Sequence, residues 1–369
     1  MAKQPLVEGS TLDGFLIGEK LHSGGMATLW KVTRPDIPTP IVMKVPMILD
    51  GDDATTIVGF EMEQMILPML SGPHVPKLFG IGDFATQPYI VMEYVEGESL
   101  LPRLDAAPRP VEEVIDIGVK VARALTDLHR QHVLHLDIKP SNIMLRPNGE
   151  AVFIDFGLSR HEMLPDLLAE EFHLPMGTGP YISPEQILKN RTDPRSDIFS
   201  LGVLLYHLLT KQRPFGFPRN NSGLRKRLWR DPVPPRAISP EIPPWLQEIV
   251  LRCLESDPDK RYPTAAQLAF DRLGRVDRLD VRTNQTKSVD PTMAQMELDR
   301  TTWTLPLVFS RRDPRVLYFA NQRVFRTVEA EEFHVFSGHV GFVIGKHFQG
   351  GQYEEGEIGL INHLQPAER

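Results

Sequence analysis

Cysteine is almost missing from this chain. Cys253 is the only one in 369 residues, so no disulfide can form within the chain. A reducing, cytoplasmic setting is expected. Long apolar runs are missing too. The most apolar stretch, Ile198 to Leu209, carries His207 and falls short of the ~20 residues a spanning helix needs, so it reads as a buried helix and membrane attachment is not expected. The opening Met1-Ala2-Lys3-Gln4-Pro5 lacks the apolar core of a signal peptide. A surplus of positive charge is also absent. The net charge of −7 offers no general attraction to nucleic acid or to an anionic membrane. What is present is a 41% hydrophobic content, enough for a real core, in a length that favours more than one domain.

Strand patterns crowd the first part. Apolar or alternating stretches cover 15–20, 28–32, 41–45, 77–81 and 89–94. A helical pattern over 55–70 interrupts them, with Phe60, Ile66, Leu67 and Leu70 near one face. Residues 111–275 read as mostly helical, with helices expected over 111–131, 197–209, 244–254 and 264–273. The short polar Val95-Glu96-Gly97-Glu98-Ser99 between the two regions suits a hinge. A ligand cleft between a sheet-rich and a helical unit follows. Residues 276–303 are polar without a core pattern and read as a linker. Farther on, 316–320 and 323–327 flank Asn321-Gln322 as a hairpin would, and 333–344 reads as further strand.

A series of short motifs then falls in one order that phosphoryl transfer requires. Ser23-Gly24-Gly25-Met26-Ala27 lies between two strand patterns, where glycines let backbone N–H groups approach phosphates. Taken alone it is also a plain hairpin turn. Lys44 stands among Ile41, Val42, Met43 and Val45, and a buried ammonium needs a partner. Glu63 on the following helix is preferred over Glu61, the pair then positioning the α- and β-phosphates. A snorkelling surface lysine is the plainer alternative. In His135-Leu136-Asp137-Ile138-Lys139-Pro140-Ser141-Asn142, Asp137 can accept a hydroxyl proton, Lys139 can reach the moving phosphate and Asn142 can offer an amide oxygen to a metal. His135 reads as structural. An Asx-turn would explain Asp137 and Asn142 but not Lys139. Asp155-Phe156-Gly157 sets a carboxylate just after a buried strand, in keeping with a Mg²⁺ ligand. Glu185 calls for a buried partner, for which Arg261 is the candidate, and Asp197 is expected to bond the backbone near His135.

These residues together resemble the eukaryotic-type protein kinase superfamily, bacterial Ser/Thr kinases in particular, over residues 12–275. The resemblance implies an α+β, bilobal protein kinase fold, with a small β-rich N-lobe (12–95) and a larger helical C-lobe (96–275), followed by the linker (276–303) and a small β-like C-terminal extension (304–369). It implies a protein serine/threonine kinase that takes ATP and Mg²⁺ and phosphorylates protein hydroxyls. Catalytic roles then fall to Asp137, Lys139, Lys44 and Glu63, and metal binding to Asn142 and Asp155. Nucleotide contacts fall to Leu21, Ser23, Gly24, Gly25, Met26, Ala27, Leu29 and Lys44, with Met92 as gatekeeper and Glu93 and Val95 in the adenine hinge. Lys139 and Thr178 resemble the Ser/Thr branch.

Three departures stand out: His22 and Ala27 replace the outer glycines of the nucleotide loop, and Leu136 replaces the arginine that, in the family, pairs with a phosphorylated activation loop. No Ser, Thr or Tyr occurs between Arg160 and Gly177. Activation without phosphorylation of the central loop is therefore expected. The alternatives are a pseudokinase scaffold, favoured by those same departures, and a small-molecule kinase, which would not need Ser183-Pro184-Glu185 or Arg261. The basic run Arg225-Lys226-Arg227-Leu228-Trp229-Arg230 reads as a solvated helix face, with docking of an acidic substrate as a second use. The tail faintly resembles one blade of a sortilin-type propeller. One blade cannot close a propeller, so an unrelated β extension, open to regulator or substrate docking, is the reading kept.

Overall fold

The structure is a computed structural model that describes residues 6–24, 26–47, 54–172 and 175–271, and beyond them only short strands between Asp277 and Ile358. The chain divides into two units, 1–269 and 270–369.

The first unit opens with β1 (Thr11–Leu12), β2 (Phe15–Ser23), β3 (Ala27–Arg34) and β4 (Ile37–Pro46), then α1 (Ala54–Ile66), β5 (Leu78–Ile81) and β6 (Ile90–Glu93). The strands form one antiparallel six-stranded sheet in the order β1-β2-β3-β4-β6-β5. Side chains alternate across a strand. Phe15, Ile17, Trp30, Val32, Ile41, Met43, Val45, Tyr89 and Val91 thus gather on one face as a core. On β4 the residues Ile41, Met43 and Val45 belong to that core, which leaves Lys44 on the opposite face, where it meets α1.

The helical part follows. Its elements are β7 (Glu98–Ser99), α2 (Leu101–Asp105), α3 (Val111–Arg130), β8 (Val133–Leu134), β9 (Ile143–Leu145), β10 (Ala151–Phe153), β11 (Arg160–His161), α4 (Leu167–Glu171), α5 (Pro184–Ile187), α6 (Arg195–Thr210), α7 (Asn221–Arg225), α8 (Pro235–Ile238), α9 (Pro244–Cys253) and α10 (Ala265–Asp271). The apolar run 198–209 lies in α6, which is buried on every side between α3 and α9. A Cβ on Gly202 would come within 2.6 Å of the Cys253 Cβ, so only glycine lets α9 approach α6 this closely. Strands β10, β9 and β7 form a small sheet, and β11 pairs with β8. These two ladders carry the loops between β8 and β11, where the functional motifs sit. The two-lobed α+β arrangement expected from the sequence is the one observed. Among the described residues no helix is long and apolar enough to cross a membrane.

In the second unit Asp277–Asp280 pairs with Gln285–Ser288, inside the stretch read as a linker. The expected hairpin joins Val316–Ala320 to Val324–Val328 within a four-stranded antiparallel sheet completed by Leu307–Phe309 and Glu332–Phe336. Ile344–Gly345 pairs with Glu357–Ile358, while 337–343 of the expected strand lie outside the described residues.

Candidate active site

Lys44 is held by two carboxylates. Its Nζ lies 2.5 Å from Glu63 Oε2 and 2.9 Å from Asp155 Oδ1. Glu63 is 1% exposed, whereas Glu61 is on the solvent side of α1. The other Glu63 oxygen accepts from the Phe156 N–H at 3.3 Å, which ties α1 to the Asp155-Phe156-Gly157 turn. Gly59 makes that approach possible. A Cβ there would meet the Gly157 carbonyl oxygen at 3.0 Å.

The electrostatics follow from this pairing. Burial disfavours the Lys44 ammonium, but the charges of Asp155 and Glu63 more than offset it and hold the group charged, its pKa raised. Asp155 is pushed down to about 2, chiefly by the Lys44 charge, with burial opposing. Burial lifts the Glu63 carboxyl, and the ion pair with Lys44 opposes that lift.

Asp137 sits in a cage of four donors. Its Oδ1 accepts from the Thr178 hydroxyl at 2.6 Å and the Thr178 N–H at 3.1 Å; its Oδ2 accepts from Lys139 Nζ at 2.6 Å and Asn142 Nδ2 at 3.1 Å. The loop beneath is equally constrained. Leu136 has φ 59°, a left-handed conformation that costs a leucine about 1–3 kcal/mol. Neighbours on both sides enforce it: its N–H donates to Asp197 Oδ1 at 2.8 Å, and its carbonyl accepts from Gln186 Nε2 at 2.8 Å. Asp197 also takes the His135 N–H at 2.9 Å, as expected of it. His135 is fully buried against Phe153 and Phe156, and burial drives its pKa down. Glu185 and Arg261 form the expected bidentate pair, at 2.5 and 2.8 Å, both buried.

The donor set suits a hard cation. The Asn142 amide nitrogen is spent on Asp137 O and Oδ2, both at 3.1 Å, while its carbonyl oxygen, which accepts only from the Ser141 hydroxyl at 3.3 Å, keeps a lone pair for a cation. The Asp155 side chain is 45% exposed, with only one oxygen on Lys44. One carboxylate and one amide oxygen fit Mg²⁺, which normally completes its shell with phosphates and water.

The side that the resemblance assigns to the nucleotide is looser. The turn is closed by the Gly24 N–H on the Ala27 carbonyl at 3.0 Å, and Gly25 lies outside the described residues. The His22 ring lies against Gly24, where an added Cβ would come within 3.1 Å of Nε2. Leu21, Ser23 and Met26 are exposed and Leu29 is half-buried. Met92 and Val95 are buried. Glu93 is held by Arg146 at 2.5 Å, a partner with no sequence signature.

One expectation is overturned. Arg227, in the run read as a solvated face, is 1% exposed. Its guanidinium donates to the carbonyls of Ile182 at 2.5 Å and Gly179 at 2.9 Å and lies 5.3 Å from the Phe215 ring. The short α7 and the turn after it fold Arg227 inward while Arg225 and Lys226 stay out, a split that charge pattern does not show. Gln186 was also missed. Ser183 and Gln186 form a capping box, a pattern readable as S-x-x-Q.

The chain is similar to known proteins over most of its length. The family described as protein kinase domain matches residues 15–271. A probable serine/threonine-protein kinase of Clostridium perfringens is 32% identical over 249 residues, 67% of this chain and 36% of its own length. The serine/threonine-protein kinase PknB of Mycolicibacterium smegmatis is 31% identical over 264 residues, 70% of this chain and 42% of its own length. The chain therefore spans less than half of these two relatives. PknL of Mycobacterium tuberculosis is 31% identical, covering 73% of this chain and 67% of its own. The crystal structure of the Mycobacterium tuberculosis PknI kinase domain shares the fold, with a TM-score of 0.56 at 24% identity over 73% of this chain and 98% of that one.

Proposed function

The chain belongs to the protein kinase family, and from that premise we propose that it transfers the γ-phosphate of ATP to serine and threonine hydroxyls of proteins. The observation that carries the reading is the four-donor cage around Asp137 beside the Lys44–Glu63–Asp155 ion triad. In this account Asp137 aligns the acceptor hydroxyl and takes its proton. Lys139 and Thr178 fix the carboxylate, and Lys139 also reaches the moving phosphate. Lys44, held charged by its two acids, binds the α- and β-phosphates, and Glu63 aims it. Asp155 and Asn142 would hold Mg²⁺, which would supply charge to offset that of the phosphates. Leu21, Ser23, Gly24, Gly25, Met26, Ala27 and Leu29 cover the nucleotide, while Met92, Glu93 and Val95 receive the adenine.

The activation segment is part of the proposal. Asp166 accepts from Arg191 Nε at 2.8 Å, lies 3.8 Å from Arg160 Nε and caps α4. Leu168 is buried, and α4 packs against α1, which carries Glu63. A fixed carboxylate thus supplies the charge that a phosphate would otherwise bring, in a segment without a hydroxyl between Arg160 and Gly177. These contacts support a loop ordered without phosphorylation.

The organisation into a kinase domain over 12–275, a linker over 276–303 and an extension over 304–369 that docks a regulator or substrate belongs to the same proposal. So does a cytoplasmic site of action, supported by the lone buried Cys253. Incubation of the purified chain with Mg²⁺ and γ-labelled ATP tests the activity. Label on the chain or on a generic Ser/Thr protein, lost in Asp155→Ala and Lys44→Met, is the expected result. Label that survives in both variants, or none in the wild type, contradicts it and favours a non-catalytic module.

A further inference from the structure

A cavity of about 740 Å³ adjoins the acceptor side of Asp137. Its walls include Lys139 and Thr178, which hold that carboxylate, and Tyr181, His207, Lys211 and Arg213. The last three come from the end of α6 and the residues after it. Lys211 takes a left-handed conformation, φ 57°, which ends α6 and turns the chain outward.

The two cations that follow α6 in this wall lack a carboxylate partner. Lys211 and Arg213 are exposed, and among the described residues neither forms an ion pair. Arg213 is steadied by the Phe217 ring, 5.5 Å away, and by Tyr181. His207 is 7% exposed, and its Nδ1 is buried with no hydrogen-bond partner. Burial and the Arg213 charge keep that imidazole neutral, so Nδ1 can donate a hydrogen bond without bringing a further charge. The single carboxylate in the wall is Asp105, set against Lys139, Lys211 and Arg213.

We propose that this cavity receives a carboxylate side chain of the acceptor protein, close in sequence to the phosphorylated Ser or Thr, and so selects acceptor segments flanked by Asp or Glu. The position follows from the shared wall: Lys139 and Thr178 belong both to the cavity and to the Asp137 cage. The sign follows from the charge count. The whole chain carries −7, so attraction to an acidic segment works against its net charge and has to come from a local site. The word acceptor rests on the proposed phosphotransfer; the anion preference does not.

The test measures binding, without turnover. Fluorescently labelled peptides with one central Thr and flanks of Glu, Ala or Lys are titrated with the full chain and read by anisotropy. The Glu peptide is expected to bind about five- to tenfold more tightly than the Ala peptide, the scale of two exposed ion pairs. In Lys211→Glu/Arg213→Glu that advantage disappears and the Lys peptide becomes the tighter ligand. Equal affinity of the Glu and Ala peptides for the wild-type chain overturns the proposal, and that comparison needs no variant to fold. If inorganic phosphate at equal concentration displaces the Glu peptide as well as unlabelled Glu peptide does, the site is a generic anion site and the acceptor assignment falls. Failure of phosphotransfer with the Glu preference intact sinks the proposed activity alone. Transfer without flank preference sinks only the cavity.

Discussion

The two sides of the cleft are built to different standards. On the acceptor side, Asp137 takes hydrogen bonds from Thr178, Lys139 and Asn142, and the loop under it is pinned by Asp197 and Gln186. On the nucleotide side, Met26 is 66% exposed and the turn is closed by a backbone bond between Gly24 and Ala27. The departures from the family pattern divide the same way. His22 and Ala27 fall on the strand ends that flank the open turn, where the His22 ring is exposed. Within the acceptor loop the one departure, Leu136, is buried and held in its unusual conformation by its neighbours. Under the proposed function this contrast is an acceptor site set in advance beside a more open turn.

The largest break comes from the caged carboxylate. Asp137→Asn should slow phosphotransfer by about 10²–10⁴, the range for loss of a general base, with ATP affinity nearly unchanged. A quench-flow measurement that finds less than a tenfold loss would contradict its role. Next is the support beneath. Arg261→Met leaves Glu185 buried without its partner and should lower stability by about 3–5 kcal/mol in denaturant unfolding. An unchanged midpoint would show that the pair does not anchor the lobe.

His207 gives a smaller, pH-dependent effect. Burial first, then the Arg213 charge, push its pKa down to about 4, with Asp105 opposing. In the unfolded chain it titrates near about 6.5. The fold thus prefers the neutral form. Its contribution is complete above about pH 6.5 and is lost as pH falls toward 4, by no more than about 3 kcal/mol. His207→Asn should flatten that acid limb; parallel stability curves for wild type and variant would refute it. Smallest is the turn. His22→Gly should change the KM for ATP by about threefold or less and leave kcat alone, because the residue is exposed near the end of β2. A kcat change as large as that of Asp137→Asn would erase the contrast between the two sides.

Much of this site was legible in the sequence because its chemistry is local. Lys44 showed as a charge in an apolar strand, Asp155 as an acid after one, and Asp137, Lys139 and Asn142 came within one short loop. The long-range choice of Glu63 over Glu61 followed from the helical face. The Arg261 partner of Glu185 and the backbone role of Asp197 were also readable, because a buried acid needs a donor. Arg227 was not. Its neighbours Arg225 and Lys226 have the same charge, and only the fold of the short α7 decides which of them meets the carbonyls of 179–182. The Asp166–Arg191 and Glu93–Arg146 pairs were hidden for the same reason: both join residues far apart in sequence at positions without periodicity.

The central claim is that the acceptor side is assembled before any phosphate is added to the chain. Its most direct test is the initial rate of phosphate transfer by phosphatase-treated wild-type chain on addition of Mg²⁺ and ATP, with Asp137→Asn alongside. The account predicts full velocity from the first turnover and a rate at least a hundredfold above the variant's, the lower end of the ~10²–10⁴ range. A lag that disappears on prior autophosphorylation, or a wild-type rate equal to that of Asp137→Asn, would contradict it.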